Sequence, residues 1–430
     1  MRKLVYLSLA ALVATLGCKH HDTDDASSAS SAAAIPAASG TAIHNDTGSG
    51  DIVLGFYGSM TGDQAAFGKS SKEGSEMAVA EINAAGGIKV GGQGAARMVR
   101  LVSEDDAGKQ EQATNVVAKL INSDKAVAII GEVASGMSLA GGTVANESHI
   151  PMVSGSSTNP KVTDKEYVFR VCFTDDYQGQ MLARFAFVKL GKKTAAIMTD
   201  VKQPYSVGLA QYFRDEYVKL GGKIVAEAKY QNGDVDLKSQ LTFVKAAHPE
   251  ILFLPGYYND AGTTARQSRE LGMTIPLLGG DGWESPTLIS LGGKALEGSF
   301  YSNHYDAGDP EPRIQDFVKR YKAKFGTEPD SIAALAYDAT MTLKIAMEKA
   351  ANLDGATLRD ALAGVHDYQA VTGEITFNSH RNPGTKAIVM LEIKDGKLVV
   401  RDRVAPPKAE SASGAVPVSA VAPAASAAKK

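Results

Sequence analysis

Only two of the 430 residues are cysteine, Cys18 and Cys172. Once an N-terminal leader is processed, no pair remains to form an intramolecular disulfide. Basic charge is not in excess either. The net charge of -3 leaves no electrostatic footprint for nucleic acid. The zinc-protease pattern H-E-x-x-H is missing and the eight histidines are scattered, so metal-assisted hydrolysis has no support. No G-x-S-x-G elbow frames a serine nucleophile. The glycine runs "GGIKVGGQG" and "GGKALEG" lack the Lys-Ser/Thr pair of a phosphate loop and fit turns better. No cofactor and no bound metal are expected.

What is present begins with a processing signal. "MRK" supplies positive charge and "LVYLSLAALVATL" a short apolar stretch. That stretch falls short of the ~20 apolar residues that span a bilayer. A secretory leader fits better than an anchor. The following "TLGC" is similar to a bacterial lipoprotein signal, with Thr15 where leucine is commonest and Cys18 as the lipidated residue. The plainer alternative is ordinary cleavage that discards Cys18. Residues 19–50, rich in Ala, Ser, Gly and Asp and free of aromatics, read as a disordered tether, and 405–430 as a disordered tail. Cys172, in the apolar run "YVFRVCF", reads as a buried inert thiol.

Between the tails, apolar runs alternate with helical patterns. "IVLGFYG" and "AVAIIGE" are continuous apolar runs, as parallel strands covered on both faces require. In "KEGSEMAVAEINAAGG" Gly74, Ala78, Ile82 and Ala85 fall on one helical face, and Gly86-Gly87 stop the helix. A second strand-helix series starts near residue 177, with no visible sequence repeat of the first. The expected fold is α/β, with two doubly wound Rossmann-like lobes and crossover helices. Residues 51–175 and 306–378 would form the N-terminal lobe, and 176–305 and 379–404 the C-terminal lobe. The crossings should fall near 174–178, 303–307 and 376–380. "KDG" joins two final strands as a hairpin.

In open α/β sheets, ligands gather beyond the carboxyl ends of the strands. The segments that follow the strands here include "GSMTGDQAAFG", "GEVASGMS", "SGSSTNP", "TDVKQPYS", "GYYND" and "GGDGWES". They hold hydroxyls, glycines, aromatics and one well-placed acid. "TNPK" misses the serine of S-x-x-K, and a hydrolase would need a base beside its nucleophile. "SEDDAG" reads as a strand end with an aspartate helix cap rather than a cation site. A free α-amino acid would use the whole inventory. Its carboxylate needs several N–H and O–H donors, for which Ser135, Ser156 and Thr158 are candidates. Its ammonium needs an anion, and Asp281 follows the strand "IPLLGG"; Ser285 is the better cap for the next helix. Phe67, Tyr205, Tyr257 and Trp283 could wall an apolar side chain, although each alone could equally be core.

These segments, with "EINAAGGI" and "FRVCFTDDYQG", resemble in order and spacing the type I periplasmic binding proteins of the branched-chain amino-acid (leucine/isoleucine/valine) group, over about Asp51 to Val404. The resemblance implies a monomeric solute-binding subunit of an ABC importer, without enzymatic activity. Such a subunit would be held in the periplasm, or on the outer face of the membrane, by a lipid on Cys18. It would pass an amino acid to an inner-membrane permease. It implies carboxylate contacts at Ser135, Ser156 and Thr158, an ammonium contact at Asp281, and cleft aromatics at Phe67, Tyr205 and Tyr257. Departures stand beside it. Asp281 is shorter than the glutamate of the best-known members, Phe67 lacks a hydroxyl, and Gly108 and Ala134 stand near where some members have a disulfide. A receptor for an amide, a urea-like compound or an aromatic acid, as importer or sensor, is the alternative on the same scaffold.

Overall fold

The computed structural model describes residues 43–384 and 386–404. Cys18, the leader, most of the expected tether and the segment 405–430 lie outside them. The end of the tether expectation needs correcting. Asn45 Nδ2 donates to the carbonyls of Ile121 (3.0 Å) and Ala126 (2.8 Å), and Asp46 receives both Nη groups of Arg97 (3.0 and 2.7 Å). Residues 43–50 are therefore pinned to the body, by side chains whose composition alone read as linker.

The first series runs β1 (Ile52–Gly58), α1 (Ala65–Ala84), β2 (Val99–Asp105), α2 (Gln110–Asn122), β3 (Ala128–Ile130), α3 (Ser135–Glu147), β4 (Met152–Ser154) and β5 (Val168–Arg170). Its five strands are parallel in the order β2-β1-β3-β4-β5. The second series runs α4 (Asp175–Arg184), β6 (Thr194–Asp200), α5 (Pro204–Lys219), β7 (Lys223–Tyr230), α6 (Lys238–Ala246), β8 (Ile251–Leu254), α7 (Tyr258–Glu270), β9 (Leu277–Gly279), α8 (Leu288–Gly292) and β10 (Phe300–Asn303). Its parallel strands repeat that order, as β7-β6-β8-β9-β10. The likeness of the halves is one of topology.

The chain then returns to the first lobe with α9 (Pro312–Phe325), α10 (Ser331–Lys349), α11 (Gly355–Ala363) and the hairpin β11 (Tyr368–Ala370)–β12 (Gly373–Ile375). It crosses again to add antiparallel β13 (Ile388–Lys394) and β14 (Lys397–Val404) beyond β10. Asp395 (φ 52°) and Gly396 (φ 68°) make the two-residue turn between them, as a left-handed hairpin turn requires. The three links between lobes thus lie after β5, after β10 and after β12.

Local packing follows from residue size. A Cβ on Gly74 would sit 2.0 Å from the Ala333 carbonyl oxygen, so only glycine lets α1 lie this close on α10. Gly74, Ala78 and Ile82 are buried as the helical spacing predicts, but Ala85 is exposed because it already caps the helix. Asp330 caps α10, its Oδ1 accepting the Ala333 N–H at 2.8 Å. Cys172 is buried and its thiol is pushed up to about 12 by burial, which keeps it protonated and unreactive.

Candidate functional site

The carboxyl ends of the two sheets face one another across a narrow cavity. Its lining includes Phe67 from the first turn of α1, Val133 after β3, Ser156 and Thr158 after β4, and Ile332 at the start of α10. The other lobe contributes Tyr205 at the start of α5, Tyr257 just before α7, and Asp281 and Gly282 after β9. Six of the seven ligand-contact candidates therefore meet around one space. The common direction of the parallel strands explains the convergence: the residues lie on segments that follow the carboxyl ends of buried strands, at or near helix N-termini.

Ser135 is the exception. It opens α3 and does not line the cavity; its Oγ accepts the backbone N–H of Asn159 at 3.2 Å. Its hydroxyl fixes the 156–159 loop. Trp283 does not join the aromatic wall either. It is fully buried, donates Nε1–H to Leu254 O (3.1 Å) and packs flat on Gly279, where a Cβ would come within 2.1 Å of the indole.

The wall itself is built from stacked phenols. Tyr205 and Tyr257 lie parallel with centroids 5.2 Å apart, and Phe67 meets Tyr257 edge-on at 5.7 Å. Burial pushes both phenols well above the usual tyrosine range, with Asp281 among the charges that add to it. Both rings stay neutral. The Tyr257 hydroxyl is buried with no hydrogen-bond partner in the protein among the described residues.

Asp281 is held on three sides. Its Oδ1 accepts from Gln178 Nε2 (2.9 Å) and Tyr205 Oη (2.9 Å), and its Oδ2 lies 2.9 Å from His304 Nε2. His304 stacks on Phe173 at 3.9 Å, in the link after β10. Gln178 also receives the Ser302 hydroxyl and the Asp281 N–H, each at 3.0 Å. With two acceptor directions on each oxygen, one on Oδ2 remains for a further donor. Sequence reading missed Gln178 and His304, because neither matches a motif by itself; "DDYQG" and "SNHY" carried them unremarked.

Two further buried acids flank the cleft. Burial, then the nearby Asp281, pushes the Asp175 carboxyl well above the ordinary carboxylate range, against a hydrogen bond from Thr158. Glu132 is pushed well up by burial and then by Asp106, and the Ser59 hydroxyl bridges the two acids (2.8 and 3.2 Å). Asp106, expected as a helix cap, instead closes a turn through Gly108 N (2.9 Å), while α2 starts after Lys109 with no side-chain cap. Among the described residues no cluster of His, Cys, Asp or Glu is arranged to hold a metal ion.

Comparison with known proteins is consistent along the chain. The "Periplasmic binding protein" family model matches residues 51–397. A Leu/Ile/Val-binding protein homolog of Brucella melitensis is 30% identical over 355 residues, covering 81% of this chain and 93% of that protein. The leucine-binding protein LivK of Thermotoga maritima superposes with a TM-score of 0.78 at 35% identity, covering 83% of this chain and 99% of that one. LivJ of Streptococcus pneumoniae, solved in complex with isoleucine, gives 0.77 at 30% identity, covering 83% and 100%. With two parallel-sheet lobes, three links and a cavity at the facing strand ends, this chain belongs to the periplasmic binding protein family, in its branched-chain amino-acid group.

Proposed function

We propose that this protein captures a free branched-chain amino acid, leucine, isoleucine or valine, between its lobes and hands it to the permease of an ABC importer. Membership of the family implies work outside the cytoplasm. Tethering by a lipid on Cys18, action as a monomer and the permease partnership belong to this same proposal.

The observation that carries it is the opposition of hydroxyl-bearing residues and a carboxylate across one cavity. Ser156 and Thr158 line it from one lobe, and Asp281 presents its remaining acceptor from the other. A carboxylate and an ammonium a few ångströms apart would satisfy both. Phe67, Val133, Tyr257 and Ile332 leave an apolar remainder for an aliphatic side chain. Closure removes water from these contacts, which strengthens them and makes mismatched ligands costly. Micromolar affinity, about 8 kcal/mol, suits capture followed by release.

Titration calorimetry against the twenty amino acids, benzoate, urea and short amides tests this. We expect leucine, isoleucine or valine to bind best. Asp281→Ala should weaken that binding ~30-fold or more, since a buried ammonium loses its anion. Binding of benzoate or an amide with no amino acid bound would refute the ligand assignment, and turnover of any compound would refute the solute-binding role.

A further inference from the structure

We infer that Arg170 is the residue that positions the carboxylate-receiving loop, a claim that rests on the proposed carboxylate contact at Thr158. Arg170 ends β5 and is fully buried. Its Nη1 donates to Ser157 O at 2.6 Å. Its Nη2 reaches Asn159 O (2.8 Å), Pro160 O (3.1 Å) and Thr163 Oγ1 (3.1 Å). Every one of these acceptors is a neutral oxygen. Asp164, Asp175 and Asp176 act on the guanidinium through space, without a hydrogen bond among them. A buried cation without a bonded counter-ion is expensive to keep, and this one grips a single stretch of backbone.

The geometry of the peptide unit says what the grip accomplishes. The Ser157–Thr158 peptide is trans, so its C=O and N–H point in opposite directions. Arg170 pulls the Ser157 carbonyl toward the core, which turns the Thr158 N–H the other way, to the side where Thr158 lines the cavity. That N–H has no acceptor among the described residues, although Thr158 is only 1% exposed. An unmatched buried N–H is rare. The second carbonyl held, Asn159 O, fixes the loop on the far side of Thr158. The unneutralised charge behind the loop also polarises the Ser157–Thr158 amide, making its N–H a better donor to an anion.

The test uses the full mature chain, wild type and the variants Arg170→Met and Arg170→Lys, with L-leucine and benzoate as carboxylate probes. Affinity is read by calorimetry, folding by circular dichroism, and the Thr158 amide by nitrogen-proton NMR. In the wild type, the carboxylate probe should move the Thr158 amide proton strongly downfield. Arg170→Met should fold, bind about 100-fold more weakly and lose that shift. Arg170→Lys, which keeps the charge but not the planar fork, should lie between the two. A folded Arg170→Met that binds within about threefold of wild type, or keeps the Thr158 shift, overturns the inference. Should Arg170→Met fail to fold, Arg170→Lys decides by the same two readouts. Wild type binding benzoate and no amino acid would defeat the ammonium role of Asp281 while leaving Arg170 to be judged on benzoate. Wild type binding neither probe overturns both.

Discussion

A hydroxyl beside a strand end can either tie the loop down or face outward, and the stretch from Ser154 to Thr158 does both. Ser154 Oγ donates to Glu132 O (2.8 Å) and accepts the Ser157 N–H (3.0 Å). Ser157 Oγ lies 2.8 Å from the same carbonyl and 2.7 Å from Ser138 Oγ. Ser156 and Thr158, the alternate positions, line the cavity. The two pairs should therefore respond to alanine in opposite ways. Ser156→Ala or Thr158→Ala should cost about 10-fold or more in leucine affinity, a hydrogen bond to a charged group being worth about 1.5–3 kcal/mol, with little change in Tm for Ser156→Ala, whereas Thr158→Ala also takes a donor from the buried Asp175. Ser157→Ala should lower stability by about 1–3 kcal/mol and leave affinity within about threefold. Calorimetric affinity beside thermal melts separates them, and loss of affinity in Ser157→Ala with an unchanged Tm would refute the division. The hydroxyl-rich loop was legible because its composition is unusual after an apolar strand. Arg170 was not, because its partners are carbonyls, and no side-chain pattern marks which carbonyl an arginine will meet.

Between elements, the lobes are held together by contacts made beside the ligand space. Tyr258 opens α7 in one lobe. Its hydroxyl donates to Asp63 O (2.7 Å) and accepts the Ala66 N–H (3.4 Å) in the other, while its ring meets Phe67 edge-on at 4.9 Å. Asn159 Nδ2 adds a bond to Pro204 O at 2.9 Å. Such contacts stabilise the closed arrangement without touching ligand, so they should set how fast it opens. Tyr258→Phe keeps the ring and removes the hydroxyl. We expect leucine affinity to fall about 2- to 15-fold, from about 0.5–1.5 kcal/mol for a lost hydrogen bond. Most of the change should lie in the dissociation rate, which stopped-flow fluorescence measures; an unchanged rate would deny the latch. The strands themselves were readable, since buried parallel strands leave continuous apolar runs such as "AVAIIGE". The closure contacts were not, because half of each is backbone contributed by a loop far away in sequence.

For the molecule as a whole, buried acids govern how stability depends on pH. Burial raises the Glu284 carboxyl to about 7, helped by Asp330; its oxygens accept from Tyr301 Oη (2.7 Å) and the Ser331 N–H (3.3 Å). Burial, then Asp200, raises Asp260 to about 7. Asp175, Asp330 and Asp338 are pushed in the same direction, also chiefly by burial. In the unfolded chain these acids release their protons near their ordinary values, about 4. Between that pH and about 7 the folded state binds more protons than the unfolded one. Stability is therefore full below the window and falls as pH climbs through it, by about 1.4 kcal/mol per pH unit for Glu284 and as much for Asp260, the other three acids acting in the same direction. Lys386 acts in the opposite sense on the alkaline side. Burial lowers it to about 8, so above that pH the unfolded chain holds the extra proton and stability recovers. Thermal melts of the unliganded protein should show a Tm that declines from pH 5 to 7, passes a minimum near pH 7–8 and rises toward pH 10. Glu284→Gln keeps an acceptor for Tyr301 while removing the charge. It should flatten the acid limb and raise the Tm at pH 7.5 while changing little near pH 4.5. A Tm that instead climbs steadily from pH 5 to 8 would mean that these acids are solvated or paired, and that the lobes do not bury them as described.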